Sequence, residues 1–135
     1  MEDPGWVAHF AISALFGKPI TIYGNGKQVR DVLFVDDLVD AFEAFVKRSS
    51  QLREAVFNLG GGPSLTLSLL EFLTILEGNL RHQIPAAFSE WRPADQKVYI
   101  SDIRKAGTEL SWGPKMSPAE GVRRLVSWIS AQVPA

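Results

Sequence analysis

Residues 22–38 read IYGNGKQVRDVLFVDDL, and how this stretch is divided decides the fold. The apolar run Ile20-Thr21-Ile22-Tyr23 meets Gly24-Asn25-Gly26, and Asn-Gly tolerates the positive φ of a tight hairpin turn. A second apolar run begins at Val29, so the pattern predicts two strands joined through Asn25-Gly26. A phosphate loop would need four residues between its glycines, a Lys-Ser/Thr ending and a helix directly behind, and this stretch has none of these. In the second run Val29, Asp31, Leu33 and Val35 alternate with Arg30, Val32 and Phe34. Both faces are mostly apolar, and the two charges sit together at one end. Two readings of Arg30 stand side by side: a buried brace with Asp31, or a guanidinium held for a ligand.

Helices are expected on both sides of this pair of strands. Upstream, Trp6, Val7, Phe10, Ala11, Ala14 and Leu15 recur at helical spacing, and Gly17 and Pro19 stop the pattern. Downstream, DDLVDAFEAFVKR predicts a helix capped by Asp36 or Asp37, with Leu38, Val39, Phe42, Phe45 and Val46 as its buried stripe. EAVFNLGGG reads as a short strand entering a glycine loop. Ser68-Leu69-Leu70-Glu71 then has capping-box spacing for a third helix that Gly78 and Asn79 would end. Beyond Pro85 a strand, an irregular loop and a second strand at residues 97–100 are expected, with a short helix behind Asp102. Ser117-Pro118-Ala119-Glu120 opens a last helix that points Val122, Leu125, Val126, Trp128 and Ile129 inward. The sum is a small mixed α/β module of short strands and about five helices.

Composition narrows the function classes. The chain has 135 residues, 46% of them apolar, and 15 acidic against 14 basic residues, which excludes a nucleic-acid groove or polybasic membrane patch. Any anion must be met by single, placed arginines. No cysteine is present, so there is no disulfide or thiolate chemistry, and His9 and His82 lie far apart, so no metal centre is expected. No apolar run approaches the ~18 residues of a membrane span, and MEDPGWVAHF carries acids where a secretory signal needs bases, so a cytoplasmic protein is expected. Arg92 lies between Trp91 and Pro93, with Asp95 and then Tyr99 beyond it. A loop offering a guanidinium, a carboxylate and a phenol suits a phosphate, a sugar hydroxyl and a ring.

At this point the residues carry a resemblance. ITIYGNGKQVRDVLFVDDLVDAF, VFNLGGG, SLLEF, WRPADQKVYISD and LSWGPKMSPAEGVRRLVSWI together resemble the C-terminal, substrate-binding half of the extended short-chain dehydrogenase/reductases, the NAD-dependent nucleotide-sugar epimerases and dehydratases. EDPGWVAHF is similar to the EDQGWVAHF of the CDP-tyvelose (CDP-paratose) 2-epimerase branch. The resemblance implies a nucleotide-sugar binding domain over residues 1–135. Thr21 and Tyr23 would flank the base, Arg30 and Arg92 would take the diphosphate, Asp95 would lie near the ribose, and Tyr99 would follow on the next strand. Two positions depart from the pattern: Pro4 stands for a glutamine, and Ala94 for the glycine of R-x-G-D.

The same resemblance implies NAD in the full-length family, yet the glycine-rich dinucleotide turn G-x-x-G-x-x-G is missing from these residues. Tyr23 and Lys27 have the spacing of the catalytic Tyr-x-x-x-Lys pair but fall in the expected hairpin, not on a helix. The chain is therefore expected to lack its NAD-binding half, to bind no cofactor and to be inactive alone, with a CDP- or UDP-sugar as ligand. A separate NAD-binding half is one conceivable partner. Self-association through apolar faces is another expectation, with Trp6, Phe10 and Leu15 on the first helix and Leu69, Leu70, Phe72, Leu73 and Leu76 on the third. The alternatives are a non-catalytic nucleotide-sugar binding module or a remnant without a ligand.

Overall fold

The structure, a computed structural model, describes residues 5–52 and 55–132. Among the described residues five helices and five short strands follow one another: α1 (Gly5–Leu15), β1 (Ile20–Tyr23), β2 (Val29–Asp31), α2 (Val35–Arg48), β3 (Thr66–Ser68), α3 (Leu69–Leu80), β4 (Ala86–Ser89), β5 (Val98–Tyr99), α4 (Arg104–Leu110) and α5 (Pro118–Gln132). The mixed α/β class read from the sequence is the class observed. The chain divides into two compact units, one drawn from Met1–Gln28, Ser68–Lys97 and Ala119–Ala135, the other from Val29–Leu67 and Val98–Pro118. Pro4, the substituted position near the start, lies outside the described residues.

In the first unit α1 ends as its glycine requires. Gly17 takes φ +63°, the Lys18 amide donates to the Ser13 carbonyl at 2.8 Å, and the Gly17 amide donates to that of Ala14 at 3.2 Å. This pair of bonds closes the helix end and uses carbonyls that would otherwise lack partners. α3 opens with the expected capping box: the Glu71 amide donates to Ser68 Oγ, and Glu71 reaches back to the Ser68 amide. The Ser68 amide, and with it the Ser68 hydroxyl, donates to the Glu71 carboxylate and holds it below its ordinary range. The helix runs on through Gly78 and Asn79 to Leu80 and turns at Arg81, φ 59°. Gly78 meets no neighbour that would favour a stop there.

α1 and α3 pack on each other. Trp6 sits edge-on to Phe72 at 5.0 Å between ring centroids, and Phe10, Phe72, Leu73 and Leu76 are buried. The α1 and α3 faces read as exposed from the sequence are thus largely covered within the unit. On α5, Val122, Val126 and Ile129 are buried as read, whereas Trp128 faces outward.

The expected hairpin does not form. β1 pairs in parallel with β4, Ile20 opposite Ala86 and Tyr23 opposite Ser89, while β2 belongs to a second sheet ordered β3-β2-β5. Asn25-Gly26 does make a turn: Gly24 and Gly26 take positive φ, and the Lys27 amide donates to Asn25 Oδ1 at 3.0 Å. The turn sends the chain from one unit into the other instead of folding it back on β1.

The core of the second unit is Ala41, Ala106, Leu110 and Trp112, with Leu33, Phe57 and Ile103 packed against it. α2 is helical where expected, but its inward face is not the apolar stripe. Asp37 and Ala41 are buried, and Val39, Phe42, Phe45 and Val46 are exposed. Asp37 is not a cap either. Phe34 holds that position, and the Asp37 carboxylate accepts the Lys115 and Met116 amides at 3.1 and 2.9 Å, while its carbonyl accepts from Trp112 Nε1 at 2.8 Å. Residues 55–59, expected as a strand, form none. Asp102 precedes the N-cap Ile103 of α4, yet its side chain still accepts the Arg104 amide, and the Arg104 guanidinium holds the Asp102 carboxyl down to about 2.

Candidate nucleotide-sugar site

The six residues expected at the site fall into two groups, one in each unit. In the first unit, β1 buries Ile20 and Ile22 and so turns Thr21 and Tyr23 the other way, Thr21 exposed and Tyr23 half-buried. The Arg92 guanidinium lies 3.8 Å from the centroid of the Tyr23 ring, within the range where ring quadrupole and cation attract. Beside them Trp91 packs on the turn: a Cβ at Gly24 would come within 2.5 Å of its ring, so only glycine fits there. Lys97 Nζ stands 5.7 Å from the centroid of the Trp91 ring. The loop between β4 and β5 is closed by the Asp95 amide donating to the Arg92 carbonyl at 3.2 Å, with Ala94 at φ 62° between them. Alanine thus adopts the left-handed conformation for which the resembling pattern has glycine.

Gln28 was not singled out from the sequence. It is buried, and its Nε2 donates to the Tyr23 carbonyl at 2.7 Å, tying the end of the turn back to the end of β1. Its Oε1 is buried with no hydrogen-bond partner among the described residues. A glutamine behind a glycine turn carries no periodic signal, so only the fold reveals it.

In the second unit β2 and β5 run parallel with Arg30 opposite Tyr99. Register partners leave a sheet on one face, so the guanidinium and the phenol start side by side. Arg30 is half-buried, and its Nη1 donates to the Val29 carbonyl at 2.9 Å. Asp31 braces backbone: its Oδ2 accepts the amides of Gly62 and Ser101 at 3.0 and 3.2 Å. The glycine loop 60–62 is packed shut around this carboxylate. A Cβ at Gly61 would collide with the Val32 carbonyl oxygen, and one at Gly62, φ +65°, would lie 2.7 Å from Ile103 Cδ1.

Among the described residues no three His, Asp or Glu side chains group as a metal site, and no helix is long and apolar enough to cross a membrane. The site chemistry on offer is that of cations set beside aromatic rings.

The family model described as GDP-mannose 4,6 dehydratase matches residues 6–125. The CDP-paratose 2-epimerase of Salmonella typhi is 37% identical over 134 residues, which are 96% of this chain and 40% of that protein. The UDP-glucuronate 4-epimerase of Thermodesulfobacterium geofontis is 36% identical, covering 82% of this chain and 33% of its own. Among solved structures, the UDP-glucuronic acid 4-epimerase from Bacillus cereus, in complex with UDP-glucuronic acid and NAD, superposes with a TM-score of 0.86 at 27% identity, over 98% of this chain and 42% of that one. The chain therefore spans well under half the length of these relatives. It belongs to the GDP-mannose 4,6-dehydratase family, within the extended short-chain dehydrogenase/reductases that comprise the NAD-dependent nucleotide-sugar epimerases and dehydratases.

Proposed function

We propose that the chain is the substrate-binding portion of a nucleotide-sugar epimerase or dehydratase, that Arg30 and Arg92 neutralise the diphosphate of a CDP- or UDP-sugar, and that it does not complete the reaction alone. The observation that carries this reading is the setting of each arginine: Arg92 over the Tyr23 ring in one unit, Arg30 in register with Tyr99 in the other. A nucleoside diphosphate offers the matching chemistry, a planar base and oxygens that accept charge-assisted hydrogen bonds. Thr21 and Asp95 add a hydroxyl and a carboxylate for the base and ribose.

The residues described do not fit the dinucleotide itself. A pyrophosphate-binding turn needs glycine amides left open at the start of a helix. The glycine loop 60–62 leads into β3, its Gly62 amide is already bonded to Asp31, and Trp91 fills the space over Gly24. Tyr23 and Lys27 flank a turn, so they do not share a helical face. No hydride or proton step is therefore derived for this chain. NAD would be held by another part of the enzyme, in the same cytoplasmic setting.

Calorimetric titration with CDP, UDP, GDP and dTDP tests the reading. Arg30→Ala and Arg92→Ala should each weaken binding by roughly 1.5–3 kcal/mol, the scale of a charge-assisted bond. Equal affinity in the wild type and both variants would return the arginines to a structural role. The pure chain with any nucleotide sugar and NAD should show no turnover above a heat-killed control.

A further inference from the structure

The second unit contains a carboxylate whose position has a consequence for the arginine next to it. Asp31 ends β2, one residue after Arg30, and Ser101 comes two residues after Tyr99. One oxygen of Asp31 accepts both the Ser101 and the Gly62 amides. The β2–β5 ladder spans only two register pairs, Val29 with Val98 and Arg30 with Tyr99. So short a parallel pairing has little to hold its register. The carboxylate links the two strands just past the Arg30–Tyr99 pair and fastens the glycine loop in the same bond set. The loop packs closely here: side chains at Gly60 and Gly61 would collide with Asp31 and with the Val32 backbone. Ser101, the donor on the β5 side, is buried.

We infer that Asp31 is a positioning residue for ligand binding: through Ser101 and Gly62 it fixes Arg30 beside Tyr99 and does not itself touch the ligand. The inference rests on the reading that Arg30 meets the diphosphate. A carboxylate is the group suited to the task, since bonds from backbone amides to a charged acceptor are about twice as strong as neutral ones. A neutral amide at position 31 keeps the shape and one acceptor oxygen but loses the charge.

The test is a double-mutant cycle with UDP and CDP as titrants, combined with amide hydrogen exchange on the ligand-free chain. Asp31→Asn should fold, lower the exchange protection of the Ser101 and Gly62 amides, and weaken UDP or CDP binding by about 3- to 10-fold, with Asp31→Ala weaker still. In an Arg30→Ala background the Asp31→Asn substitution should change affinity by less than about 2-fold, because its effect passes through Arg30. A merely structural role would give the same loss in both backgrounds, and that result overturns the inference. Unchanged protection of Ser101 and Gly62 in Asp31→Asn overturns it without reference to any ligand. If Arg30→Ala alone leaves affinity unchanged, the reading of the site fails and the inference falls with it, an outcome the exchange data keep separate from failure of the staple.

Discussion

Ala94 shows how a single residue departs from a pattern without losing its geometry. Its φ of 62° lies where L-residues pay roughly 1–2 kcal/mol and glycine does not, and the turn it completes is closed by the Asp95 amide on the Arg92 carbonyl. Ala94→Gly should relieve that strain at a cost of about 0.4–1 kcal/mol from the greater entropy of the unfolded chain, so its net effect is a stabilisation of about 0–1.6 kcal/mol. Ala94→Val, β-branched in the same conformation, should destabilise. Urea unfolding of the three proteins checks the order, and a valine variant as stable as the glycine one would deny the strained turn. At this scale arginines beside aromatic residues in a polar loop are a local signal, and the structure sets Arg92 over the Tyr23 ring. The sequence left open whether Arg30 is a buried brace with Asp31 or a guanidinium held for a ligand. The Asp31 carboxylate accepts backbone amides 31 and 70 residues away, which no local spacing encodes.

Elements were legible as elements and much less so in their partners. Capping chemistry placed the start of α3, and Gly17 the end of α1, because both are settled within a few residues. The Asn25-Gly26 turn was also real, yet β1 found its partner in β4, more than 60 residues on, so the turn chemistry could not specify a hairpin. Periodicity gave α2 two faces, and the buried one is set by what this unit supplies: amides of Lys115 and Met116 for Asp37, and Trp112 for its carbonyl. The glycines divide by the same logic. Gly78→Ala, in the open interior of α3, should stabilise by roughly 0.5–1 kcal/mol, whereas Gly61→Ala should destabilise by at least about 2 kcal/mol because the collision is with backbone. Thermal unfolding distinguishes them, and similar shifts for both would contradict the close packing of the loop on β2.

For the whole molecule, the exposed stripe of α2 matters most. Val35, Val39, Phe42 and Val46 recur along one helix face and are 61, 47, 57 and 69% exposed, in a chain that spans about two-fifths of its relatives. Apolar surface of that kind usually finds a partner. Self-association is accordingly expected through α2, with sedimentation at ~100 μM showing a species larger than a monomer and Phe42→Glu returning it to one. A wild-type monomer at that concentration would reject this face as a self-contact. The central claim, that two arginines give this chain its ligand, is tested most directly by calorimetric titration of the wild type, Arg30→Ala and Arg92→Ala with CDP and UDP. The account predicts saturable binding by the wild type that each substitution weakens by at least about tenfold. Absence of binding by the folded wild type, or binding that neither substitution alters, would contradict it.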